Sequence, residues 1–142
     1  MADYAVRMGP REAFHHLVAA ADDGRLPALC DRNSVEILTA FGSAIRDTAE
    51  PSDLDIAVRF RAGAPSDMLA LIEELAELTG SDDLDVMDLD RADPVARSIA
   101  LTDCEPLFEA TNGGYVREQI RAVQERLDTA WLRSMELERL AS

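Results

Sequence analysis

The chain has 142 residues, a hydrophobic content of 47% and a net charge of −14, with 28 acidic against 14 basic side chains. Its length fits one domain, residues 1–142, large enough for a real core, and its acidity argues against a module that coats nucleic-acid phosphates, which needs a basic footprint. No apolar stretch approaches the roughly 20 residues that span a bilayer, the N-terminus lacks a signal-peptide pattern, and Cys30 and Cys104 match no zinc spacing. A reduced, cytoplasmic protein with no membrane contact is the expectation. The charge fits a partner with a basic surface, or solubility alone. Every basic residue is Arg, which suggests coding bias more than mechanism.

Residues 10–21 place Phe14, Leu17, Val18 and Ala21 at helical spacing, with Pro10 suited to a first turn and Asp22-Asp23-Gly24 as the stop. His15 and His16 point in different directions on such a helix and read as surface or packed histidines, with no third ligand near in sequence. Residues 26–32 form a short helical turn. Residues 34–41 (SVEILTAF) read as a strand with Val35, Ile37, Leu38 and Phe41 inward. Gly, Ser, Asp, Thr and Pro crowd residues 42–52, a turn-rich connection.

Residues 53–60 alternate strictly: Asp53, Asp55, Ala57 and Arg59 on one parity, Leu54, Ile56, Val58 and Phe60 on the other. That is the period of a half-buried strand with its apolar parity in the core. Ser66 is the expected N-cap of a helix over 67–78, with Met68, Leu71, Ile72, Leu75 and Leu78 as its stripe and Gly80 ending it. A strand over 84–89 (LDVMDL) follows. Asp93 caps a helix over 94–101, with Val95, Ile99 and Ala100 inward. Residues 105–110 form a short strand and 111–114 a linker. A long helix, 115–140, carries a heptad-like seam of Val116, Ile120, Val123, Leu127, Ala130 and Leu137, widened by Trp131, Leu132, Met135 and Leu140. The seam either packs on the domain's own sheet or docks a partner or a second copy. The predicted fold is α/β (α+β): a small mixed sheet flanked by helices, in which strands 35–41 and 53–60 pair antiparallel.

Three features carry chemistry. Gly42-Ser43 follows a strand; Gly permits close backbone approach, and Ser offers a hydroxyl and an N–H to a phosphate oxygen. Alone it is an ordinary turn. Asp53 and Asp55 stand side by side on one strand face and repel each other, which a divalent cation relieves. Alone, Asp-x-Asp is commonly a solvated edge. Asp85 and Asp88 interrupt an apolar strand, where Asp is disfavoured and a metal is one reason for its presence. They lie on opposite parities, and spacing does not choose between them.

Together, GSAIRDTAEPSDLDIAV and the later LDVMDLDRADPVARSI resemble the DNA polymerase β-like nucleotidyltransferase superfamily. Within it they are similar to the minimal nucleotidyltransferases (MNT proteins) paired with HEPN toxins. The resemblance covers about residues 34–110. It implies a nucleotidyltransferase-type sheet and two Mg²⁺ ions held by Asp53, Asp55 and a third acid, with Asp85 favoured over Asp88. It also implies an ATP triphosphate resting on Gly42 and Ser43, with Arg46 as a phosphate contact. The implied activity is that of an antitoxin, moving AMP from ATP onto a tyrosine of a HEPN ribonuclease and binding it. Arg46 reads equally as a surface residue answering Asp47 and Glu50. The chain departs from the family's turn at Asp47, where Gly is frequent, which adds a charge near the phosphates. The same motif fits an antitoxin that acts by binding alone, or a nucleotidyltransferase acting on a small molecule or RNA. The first alternative leaves the carboxylates unused, the second ordinarily needs an acceptor domain this chain lacks, and −14 disfavours the third. The long helix is also a route to an oligomer.

Overall fold

The computed structural model describes residues 8–46 and 50–141. Helix α1 (Pro10–Asp23) ends at Gly24, whose φ of +94° turns the chain directly into α2 (Arg25–Arg32). The expected short turn at 26–32 is thus a full helix, with Leu26, Leu29 and Cys30 buried on one side. Strand β1 (Val35–Phe41) leads through Gly42 into a single 3₁₀ turn, Ser43–Ile45. Strand β2 (Leu54–Phe60), helix α3 (Met68–Thr79), strand β3 (Leu84–Asp88), helix α4 (Pro94–Thr102), strand β4 (Cys104–Glu109) and helix α5 (Gly114–Ala141) complete the order.

The sheet runs β3-β2-β1-β4. β1 pairs antiparallel with both β2 and β4, while β2 and β3 are parallel. The parallel pair needs a crossover, and α3 supplies it. The predicted mixed sheet flanked by helices, with a long C-terminal helix, is what forms.

Alternation along the strands feeds two cores. Leu38, Ala40, Leu54, Ile56 and Val58 face α1, α2 and α3, where Leu17, Leu26, Leu71 and Leu75 meet them without solvent exposure. Ile37 and Ala57 face the other way, into a smaller cluster with Leu89, just past β3, Ala100 and Leu101 of α4, and Ala122 of α5. The carboxylate parity of β2 is therefore not a solvent face along its whole length. Ala57 and Ala122 are small enough for the helices to close over one half, and only the Asp55 end stays open. Thr39, fully buried in the same layer, donates to the Ala100 carbonyl at 2.8 Å and ties β1 to α4.

Three local expectations change. Asp67, not Ser66, caps α3: its carboxylate accepts the Ala70 N–H at 3.0 Å, a charged acceptor at the positive helix end. In α4 it is Ser98 that turns inward, while Ile99 is 39% exposed; the helix is rotated by one position relative to its apolar pattern so that Ala100 and Leu101 seat on the sheet. Asp93 caps α4 as expected, accepting the Ala96 N–H at 2.9 Å. Finally, α5 packs through Gly114 and Ala122, its buried residues. Its seam of Val116, Ile120, Val123 and Leu127 is exposed, so burial on the domain's own sheet is not what the seam does. No described helix is long and apolar enough to cross a membrane.

Candidate active site

The site forms where three strands end together. Phe41, the last residue of β1, is the register partner of Asp55 in β2, and Asp55 is in turn the register partner of Asp85 in β3. Period-two alternation in two adjoining strands therefore puts both carboxylates on one face. Asp53 sits just before β2 begins and is exposed; Asp55 is half-buried and Asp85 exposed. Burial raises the Asp55 pKa above its ordinary value, and the charges of Asp85 and then Asp53 push it further. The three acids thus share one electrostatic neighbourhood.

Gly42 makes the close packing possible. Its φ of +79° and ψ of −159° place it in a region that side chains rarely tolerate. A Cβ there would overlap the Asp55 carboxylate oxygen and come within 3.2 Å of its Cγ. Ser43 then opens the 3₁₀ turn, closed by the Arg46 N–H bonding the Ser43 carbonyl at 3.1 Å. The Gly-Ser turn and the Asp55 carboxylate are in direct contact.

Asp88 lies elsewhere. It pairs with Val58, three positions along β3 and on the opposite parity from Asp85. Its carboxylate accepts the Asp90 N–H at 3.0 Å and stands 3.9 Å from Arg91, so it braces the turn after β3. Arg59 shares the parity of Asp55 but turns to Glu118 of α5. Its ion pairs are with Glu118 and Asp90, not with Asp55.

Arg46 forms an ion pair with Asp103, at the junction of α4 and β4. Glu50, one of the two acids the sequence offers as its surface partners, is not that partner. Arg11 of α1 donates to the Arg46 carbonyl, so α1 and the α4–β4 corner hold the turn from two sides. Asp103 and Arg11 escape sequence reasoning because their contacts span 57 and 35 residues. Asp47, where the turn leaves the family pattern, lies outside the described residues.

The donor set suits a hard cation: carboxylate oxygens from adjoining strands that form no ion pair among the described residues. Among the described residues no group of three or more His, Cys, Asp or Glu forms a ready-made metal cage. Mg²⁺ does not require one. It is usually held by one or two carboxylates, with water and substrate phosphate oxygens completing the octahedron. Asp53, Asp55 and Asp85 fit that mode, and His15 and His16 take no part in it.

A glycine-serine turn abutting paired carboxylates, at the open end of a small mixed sheet backed by helices, is the arrangement of a nucleotidyltransferase. The chain belongs to the Polymerase beta, Nucleotidyltransferase family, whose model matches residues 26–112. Among solved structures it is similar to a chain of a toxin–antitoxin complex with AMP-PNP (21% identity, TM-score 0.63, covering 85% of this chain and 99% of that one). It is also similar to a chain of the complex of tri-AMPylated Shewanella oneidensis HEPN toxin with MNT antitoxin (20% identity, TM-score 0.62, 88% and 99% covered). A chain of the MntA–HepT toxin–antitoxin complex matches at 20% identity and TM-score 0.61, with 85% and 97% covered. At these identities the likeness is one of fold. No curated protein sequence matches the chain.

Proposed function

We propose that this protein is a cytoplasmic, Mg²⁺-dependent antitoxin of the MNT type. It moves AMP from ATP onto a tyrosine hydroxyl of a HEPN ribonuclease toxin, and it also binds that toxin. The observation that carries the reading is the register pairing of Asp55 with Asp85 beside the Gly42 turn. The similarity to complexes with AMP-PNP and with an AMPylated HEPN toxin supports the choice of nucleotide and acceptor.

In this reading Asp53 and Asp55 would hold two Mg²⁺ ions, with Asp85 completing one of the two sites. Bound there, the ions would supply charge neutralisation at the triphosphate. Gly42 and Ser43 seat the β- and γ-phosphates: the glycine lets the backbone approach, and the serine offers its hydroxyl and N–H. Arg46 adds positive charge at the same end. The acceptor oxygen attacks the α-phosphorus in line. A new P–O bond forms, the bond to the β-phosphate's bridging oxygen breaks, and pyrophosphate leaves with that electron pair. Asp85, exposed and at the reacting edge, takes the hydroxyl proton.

The test uses purified protein, α-labelled ATP, Mg²⁺ and a cognate HEPN protein. Label on a toxin tyrosine, lost in Asp53→Asn/Asp55→Asn, is the expected result. An unlabelled toxin that the double variant still neutralises would overturn catalysis and leave an antitoxin that acts by binding alone.

A further inference from the structure

We propose that two copies of this chain associate through antiparallel pairing of α5, seam against seam. The inference does not depend on the proposed chemistry, because no residue of the seam touches the carboxylate site.

α5 meets its own domain only through its first half. Gly114 and Ala122 are buried, Arg97 of α4 pairs with Glu125 at 2.6 Å, and Arg126 lies 3.4 Å from the Ser98 hydroxyl. Beyond Thr129 every described residue is exposed. A free-standing helical segment of that length is marginal in water without packing, and this one is apolar enough to need a cover: Leu127 is 65% exposed, Trp131 62% and Leu137 68%.

Two features of the helix favour a second copy as that cover. The first is shape. At the central positions of the seam the large Val123 and Leu127 are followed by the small Ala130 and Ser134, with Trp131, Leu132 and Met135 flanking the small ones, so antiparallel pairing sets Leu127 against Ala130 and Val123 against Ser134 of the other copy. Ile120 then meets Leu137. Parallel pairing would instead align Ala130 with Ala130 and Ser134 with Ser134 and leave gaps, which packed seams avoid. The second is charge. α5 carries five arginines and five carboxylates, so the net −14 of the chain lies entirely outside it. Two strongly acidic domains repel, and the neutral helix is where two copies can meet with the least opposition. The antiparallel arrangement also sets the two domains against opposite halves of the helix pair, their footprints centred about 26 Å apart along it at about 1.5 Å per residue.

Sedimentation velocity on the full chain tests this. The wild type is expected to sediment with the mass of two chains at micromolar concentration. Leu127→Glu, at a side chain that its own fold leaves exposed, is expected to raise the dimer Kd about tenfold or more while keeping a single cooperative melting transition. Register is read by cysteine crosslinking. Ile120 and Leu137 are about 26 Å apart on one helix, so the double variant Ile120→Cys/Leu137→Cys crosslinks only between copies, and each single variant remains uncrosslinked. A wild type that sediments as one chain at every concentration overturns the proposal, including one that is covered only when a toxin is added. Unchanged dimerisation in Leu127→Glu overturns it too. Efficient crosslinking of either single variant overturns the antiparallel register.

Discussion

The Asp55 carboxylate fills the space that a side chain at position 42 would occupy. Turn and carboxylate are therefore packed against each other, and the turn proposed to seat the phosphates lies directly beside the acid. Gly42→Ala must both enter the strained backbone region and displace Asp55. The backbone term alone is about 1–3 kcal/mol. A displacement of the carboxylate by about 1 Å is expected to lower nucleotidyl transfer by about 10²-fold. Chemical denaturation and a labelled-ATP turnover assay on the same preparation read the two effects. Wild-type turnover in a stably folded Gly42→Ala protein would show that the contact does not position Asp55.

The charge on Asp55 sets a pH dependence in metal-free protein. Its pKa is raised above the ordinary 3.8 by burial and by the charges of Asp85 and Asp53. Between the unfolded and native values, the native state keeps a proton that the unfolded chain has lost. Stability therefore falls as pH rises through that window and levels off above the native pKa. Asp55→Asn removes this contribution. In the presence of chelator, urea unfolding from acid to neutral pH is expected to show the variant more stable at neutral pH, by at most about 1 kcal/mol because the site opens to solvent. Transfer activity should be lost in the same variant. A variant less stable than wild type at neutral pH would mean that the carboxylate makes a favourable contact outweighing the repulsion.

What the sequence could show follows from the range of each interaction. The alternation of residues 53–60 is local, so the strand and the common face of Asp53 and Asp55 are visible in it. The opposite parities of Asp85 and Asp88 are visible too, but which one stands across from Asp55 is a matter of register between β2 and β3. That register depends on the α3 crossover and its turns together with the strand's hydrophobic pattern. The pairing of Arg46 with Asp103 depends on β4 folding back beside β1, and no local pattern announces it. The α5 seam shows the opposite limit. A heptad stripe looks the same whether it faces the domain or a partner, and only the placement of Ala122 decides that it faces outward. Small shifts such as Asp67 for Ser66 at the α3 cap reflect two adjacent residues that are both competent N-caps.

Arg97 is the main strut of the α4 side. Its guanidinium donates to the Leu89 carbonyl at 2.7 Å and the Ala92 carbonyl at 2.8 Å, and pairs with Glu125 of α5 at 2.6 Å. One side chain thereby joins the end of β3, the turn before α4 and the proximal half of α5. Arg97→Ala leaves these acceptors without their charged donor and is expected to destabilise by about 1–3 kcal/mol, or about 2–4 °C in Tm per kcal/mol for a chain of this size. Arg97→Lys, a point charge without the fork, should recover only part of that. Full stability in the lysine variant would show that charge alone, without the geometry of the guanidinium, holds α4 to α5.

The two cysteines differ in how the fold shelters them. Cys30 is fully buried on α2, and its pKa is pushed up to about 12, first by burial and then by the charge of Asp31. Cys104 is half-buried, its thiol 3.3 Å from the Tyr115 hydroxyl, and its pKa is raised chiefly by burial. The thiolate is the reactive species, so neither is a ready nucleophile at neutral pH, and Cys30 has no access in addition. With Ellman's reagent the native protein is expected to show one slow thiol, Cys104, abolished in Cys104→Ser. Cys30 should react only after unfolding in guanidinium, at a rate set by the unfolding step. Fast reaction of Cys30 in native protein would mean that α2 opens locally from the sheet, since no static path reaches it.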